Sequence, residues 1–108
     1  MADIDFVIWL SDKDWILVII KTLKNKVLSY IVKYNALIND KEYEIARFDS
    51  GHDNIHIDIL LPDGSKERVV VFNYVIQKEY VVDFALSHFR ASFEIYRERF
   101  EKWLSEKK

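Results

Sequence analysis

An α+β fold is predicted for this chain: an antiparallel β-meander of five or six strands, followed by one long C-terminal helix laid on one face of the sheet. Three observations predict it. Residues 4 to 72 hold apolar segments rich in β-branched residues, punctuated by turn-forming residues. From about Val75 the apolar spacing changes to that of a helix. Strands followed by a helix, rather than strands alternating with helices, point to an antiparallel sheet and not to βαβ units. The 108 residues, half of them hydrophobic, suit one domain spanning 1–108 with a core of its own.

The first strand is read from Ile4, Phe6, Ile8 and Leu10, which alternate with Asp5, Val7 and Trp9. Ser11-Asp12-Lys13-Asp14 then breaks the pattern. Trp15 to Ile20 is a continuous apolar run, read as a buried strand, although Ser11 and Asp14 have the spacing of a helix capping box. Lys24-Asn25-Lys26 reads as a tight turn, and Val27 to Ile38 as a strand with apolar groups on both faces. Asn39-Asp40 suits a two-residue hairpin turn, because both residues tolerate positive φ. In the strand Glu42 to Asp49, strict alternation places Tyr43, Ile45, Arg47 and Asp49 on one face and Glu44, Ala46 and Phe48 on the other.

Ser50 to Asp53 is a connection in which Gly51 is available for a left-handed conformation. Ile55, Ile57, Ile59 and Leu61 then alternate with His56, Asp58 and Leu60, which sets His56 and Asp58 together opposite the isoleucines. Pro62-Asp63-Gly64-Ser65 is a turn, and Arg68 to Phe72 the return strand. The helix is expected over about 75–105, with Asn73 near its N-cap and Val82, Leu86, Phe89, Phe93, Tyr96, Phe100 and Trp103 in one stripe. An aromatic stripe of that length exceeds one small sheet face, so part of it is expected to form a homodimer contact. Arg90, Arg97, Arg99 and Lys102, diluted by Glu94, Glu98 and Glu101, read as a solvated flank, and His88 as a boundary residue.

Several functional classes are disfavoured. Without cysteine there is no disulfide, thiolate ligand or Cys nucleophile. A net charge of −2 gives no overall field for nucleic acid. The acidic N-terminus lacks the basic region of a signal peptide, and no apolar run could span a bilayer, so a cytoplasmic protein off the membrane is expected. There is no phosphate loop, dinucleotide fingerprint or nucleophile elbow.

One constellation carries chemistry. Arg47 and Asp49 end one strand, His52 lies in the connection, and His56 and Asp58 begin the next. Cross-strand neighbours approach within about 5 Å, so the five can converge at one corner. Two imidazoles could act as acid and base, the carboxylates could orient them, and Arg47 could hold a phosphate. No cofactor is required for that chemistry. A divalent metal on His52, His56 and Asp58 is an alternative. The plain alternative is structural: turn residues bonding their own backbone, and Arg47 paired to Asp49 or Asp58 in a sheet salt bridge.

The order Arg47-Phe48-Asp49, His52, His56, Asp58 resembles a group of small prokaryotic proteins classed as a domain of unknown function. It is distantly similar to the TumE-type toxins of toxin–antitoxin systems, in which an Arg-Tyr-Asp-Asn turn precedes clustered histidines. Here Phe48 stands in place of the tyrosine and histidines are fewer. The resemblance covers about residues 34–66 and implies an RNA-directed, phosphodiester-cleaving role. The expectation from a different class is a non-catalytic, dimeric protein-interaction module working through the aromatic helix.

Overall fold

The computed structural model describes residues 2–51, 54–72 and 77–106. Six strands, β1 (Ala2–Ser11), β2 (Asp14–Leu23), β3 (Lys26–Ile38), β4 (Lys41–Asp49), β5 (Ile55–Leu60) and β6 (Lys66–Phe72), precede one helix, α1 (Lys78–Glu106). The strands form one antiparallel sheet in sequence order, so β1 and β6 are its edges. The predicted α+β meander is the observed fold. No helix among the described residues is long and apolar enough to cross a membrane.

Local chemistry explains the turns. Lys24 and Asn25, with φ of 52° and 64°, and Asn39 and Asp40, with φ of 52° and 63°, each fill a two-residue hairpin loop. Positive φ at both central residues matches the twist of the flanking strands. Gly64 takes φ 89° in the β5–β6 turn. Gly51 does not use the left-handed conformation open to a glycine; a Cβ there would meet Asp49 Oδ1 at 3.1 Å. The spacing of Ser11 and Asp14 caps no helix. Their side chains hydrogen-bond each other at 2.5 Å across the β1–β2 hairpin. Trp15 to Ile20 is strand, as its β-branched composition implies.

The core lies between the sheet and α1. Ile16, Val18, Val32, Tyr34, Ala36, Phe48 and Ile57 come from the sheet, and Val81, Ala85, Phe89 and Phe100 from the helix. Phe48 packs edge-on to Phe89 and Phe84, with ring centroids 5.4 and 5.9 Å apart, and Tyr43 meets Phe100 at 5.0 Å. The aromatic stripe is thus largely used within the chain: Phe89 and Phe100 are 0 % and 2 % exposed and unavailable to a second copy. His88 belongs to the same aromatic cluster, stacked on Phe84, its Nε2 2.7 Å from the Tyr96 hydroxyl. Burial holds its pKa below the ordinary histidine value. Asn73, the expected cap, lies outside the described residues. Within them the helix starts after Gln77, whose carbonyl accepts from Tyr80 and Val81 N–H. Lys78 Nζ donates to Leu28 O at 2.7 Å, and Glu79 accepts from Val27 N–H at 3.1 Å, tying the helix start to β3.

Strict alternation fails in β4. The β3–β4 register passes from Tyr34 opposite Ala46 to Asn35 opposite Glu44, so Ile45 is the extra residue of a β-bulge. The consequence is an exchange of faces. Tyr43 turns to the helix side, and Glu44 joins Arg47 on the other.

Arg97 is likewise no part of a solvated flank. It reaches back to the sheet, where Nη1 meets Asp14 Oδ1 at 2.9 Å and Nη2 donates to Leu37 O at 3.0 Å. Tyr34 Oη donates to the same Asp14 oxygen at 2.6 Å. Asp14 is only 4 % exposed and Tyr34 is fully buried. Burial first, and then the hydrogen bond to Asp14, push the Tyr34 phenol well above its ordinary pKa.

Candidate functional site

Directly opposed residues in an antiparallel sheet share a face. The pairings Val7–Leu17, Leu17–Lys33, Lys33–Arg47, Arg47–Asp58 and Asp58–Arg68 therefore form one row across all six strands, on the side away from α1. The row is apolar over β1 and β2 and charged from β3 to β6. His56 and Asp58 lie on this face, opposite the core isoleucines, as their alternation implies.

Asp58 is the centre of the charged half. It is 1 % exposed and lies opposite Arg68, whose Nε and Nη2 donate to Oδ1 and Oδ2 at 2.8 and 3.2 Å. Lys66 Nζ lies 3.5 Å and His56 Nε2 3.9 Å from Oδ2. Burial pushes the Asp58 carboxyl up, but the Arg68 hydrogen bonds and the Arg68, Lys66 and His56 charges outweigh it, leaving its pKa below the usual carboxylate range. His56 is also 1 % exposed, its Nδ1 3.4 Å from Asn54 O.

Arg47 does not pair with Asp49 or Asp58 by direct contact. Its Nη2 makes a charge-assisted fork to Glu44 at 2.7 and 2.8 Å, and Lys33 adds a longer contact to Glu44 at 3.6 Å. Asp49 accepts from Gly51 N–H at 3.0 Å, a turn contact of the kind its position implies. Its charge, after burial, helps push the Tyr30 phenol up to about 12.

Three of the five candidate residues, Asp49, His56 and Asp58, therefore meet at one corner, and Arg47 lies opposite Asp58 in the register but is held by Glu44. His52 lies outside the described residues. Asp49, His56 and Asp58 each offer a ligand atom within 4.8 Å of the others, so among the described residues this is the set a divalent cation would find. The donor set is of a suitable kind, but Asp58 already carries Arg68 and Lys66, whose charges oppose a cation there. The electrostatics fit a neutralised charge network better than a metal centre.

Three partners were not read from the sequence. Glu44 was hidden by the bulge. Arg68 and Lys66 could have been found by counting outward from the Pro62–Ser65 turn, which pairs Leu60 with Lys66 and hence Asp58 with Arg68.

The family model described as a domain of unknown function, DUF7718, matches residues 1–106. No curated protein and no solved structure matches the chain.

Proposed function

The chain belongs to the DUF7718 family, whose description names no activity, and we propose from its own geometry that it is a non-catalytic interaction module that pairs with a second copy of itself through β1. One observation carries this reading. β1 is a ten-residue edge strand whose outer side has no neighbour among the described residues, and Ile4, Phe6, Val7 and Trp9 on it are 47, 38, 46 and 63 % exposed. An open edge with apolar side chains on both faces is a template for another strand. β1 carries neither lysine nor proline, the residues that commonly protect such edges.

The sequence of β1 fits itself. A two-fold axis normal to the sheet at Val7 sets Phe6 opposite Ile8 and Ile4 opposite Leu10 on the helix side. On the other side it sets Asp5 opposite Trp9, so Asp5 faces no carboxylate; beyond Trp9 a bulge turns Ser11 to the helix side, beside Asp14. Helix α1 packs on β2, β3 and β4. In the dimer, the apolar floor left open over β1 would be shared between two helices.

Sedimentation velocity tests this. The wild-type chain is expected to be a dimer at tens of micromolar, and Val7→Lys a monomer with an unchanged far-UV spectrum. A wild-type monomer throughout that range, or a dimer indifferent to Val7→Lys, overturns the reading.

A second reading, RNA-directed phosphodiester cleavage, is favoured by the meeting of Asp49, His56 and Asp58. It requires His56 to be uncovered from its 1 % exposure and Arg47 to leave Glu44. If it holds, the wild-type protein cleaves a short RNA and His56→Gln loses about 10²-fold or more of that rate, the scale of a general acid or base. Equal rates in the two proteins remove it.

A further inference from the structure

We propose that the apolar half of the outer face carries a binding site for a basic side chain, lysine or arginine, of a protein partner. It does not depend on pairing at β1. A cleft of about 330 Å³ is lined by Val7, Trp9, Asp12, Trp15, Leu37 and Glu42. This is the lower end of the range of ligand pockets, suited to one side chain rather than a large ligand.

Its chemistry selects a cation. The Trp9 and Trp15 rings stand 5.4 Å apart at 46°, forming a tilted aromatic wedge, and Trp9 is 63 % exposed. An indole face carries negative charge density and attracts ammonium and guanidinium groups more strongly than other aromatic rings do. Asp12 and Glu42, both exposed, supply carboxylates in the same lining. Among the described residues neither forms an ion pair within the chain. Among the described residues no lysine or arginine lines the cleft; Lys13, next to Asp12 in sequence, lines the neighbouring cleft with Arg97 and Glu101. Two indoles and two carboxylates without an internal cation make a site complementary to a positive, partly apolar group. Leu37 and Val7 give the methylene stem of such a side chain an apolar surface.

The arrangement differs in kind from the network around Asp58, whose carboxylate already has Arg68 and Lys66 as partners within the protein. There the face is neutralised; here two negative charges lie beside exposed aromatic surface.

The test is an NMR titration of the tryptophan indole N–H signals with two blocked tripeptides, Gly-Arg-Gly and Gly-Lys-Gly. Matched controls replace arginine by the neutral isostere citrulline and lysine by norleucine. Saturable shifts at Trp9 and Trp15 in the millimolar range are expected with the cationic peptides, and at least several-fold weaker binding with the neutral ones. Trp9→Leu and Glu42→Gln should each weaken the cationic peptides by roughly two- to fivefold, the scale of one exposed cation–π or ionic contact. Both positions are exposed, so either variant reports on binding without a core change. Equal response to arginine and citrulline would reduce the cleft to an apolar surface and overturn the proposal, as would no response to any peptide.

Discussion

Arg97→Met is expected to lower the stability of the protein by about 3 kcal/mol, the lower end of the cost of breaking a buried ion pair from one side. The reason is what remains. Asp14, 4 % exposed, keeps only the hydroxyls of Tyr34 and Ser11 as partners for its charge, and Leu37 O loses its donor. Arg97 is 21 % exposed at its side chain, so water can partly take its place, which sets the lower figure. Urea denaturation at neutral pH measures the loss. Asp14→Asn combined with Arg97→Met should cost clearly less than the two single changes added together, because the charge that Arg97 neutralises is gone. Additive losses would mean that Arg97 stabilises by packing its stem and not through Asp14.

Phe48→Ala should be at least as costly, about 3–5 kcal/mol, as for other large aromatic truncations in a close-packed core. Phe48 is fully buried, and its ring meets Phe84, Phe89 and His88 with centroids 5.9, 5.4 and 5.9 Å away. Removing it empties the junction between β4 and the first half of α1. A fall in melting temperature of more than about 10 °C is the expected reading for a domain of this size. A loss below about 1 kcal/mol would mean that the helix can settle into the space, contrary to the packing described. Phe48 therefore stands within the Arg47–Asp49 motif as a core residue, whatever its charged neighbours do.

The order of elements was legible because each carries its own period. Ile55 to Leu61 alternates cleanly and became β5, and the 4,3 spacing of Val82 to Trp103 became α1. Turn chemistry placed the hairpins at Asn39-Asp40 and at Gly64. The candidate corner was legible only in part. His56 and Asp58 share a face by simple alternation, but an extra residue at Ile45 leaves no mark in the pattern, and it decides that Glu44 rather than an aspartate holds Arg47. The Asp14–Arg97 contact was beyond reach for another reason. Nothing in a helical arginine set among glutamates tells it from a solvated one, and its partner lies 83 positions away.

The strand order has a consequence for how the protein reaches this state. Every strand pairs with its sequence neighbour, so each hairpin closes a short loop and little chain entropy is lost before its contacts form. The return of α1 across β2, β3 and β4 joins distant parts of the chain. The bond between Asp14 in the first hairpin and Arg97 near the end of the helix can close only after that docking. An interaction formed so late is absent from an early transition state, and it acts on the rate at which the native protein opens rather than on the rate at which it forms. The Asp14–Arg97 bond is in this sense a latch, holding the helix on a sheet that assembles largely without it.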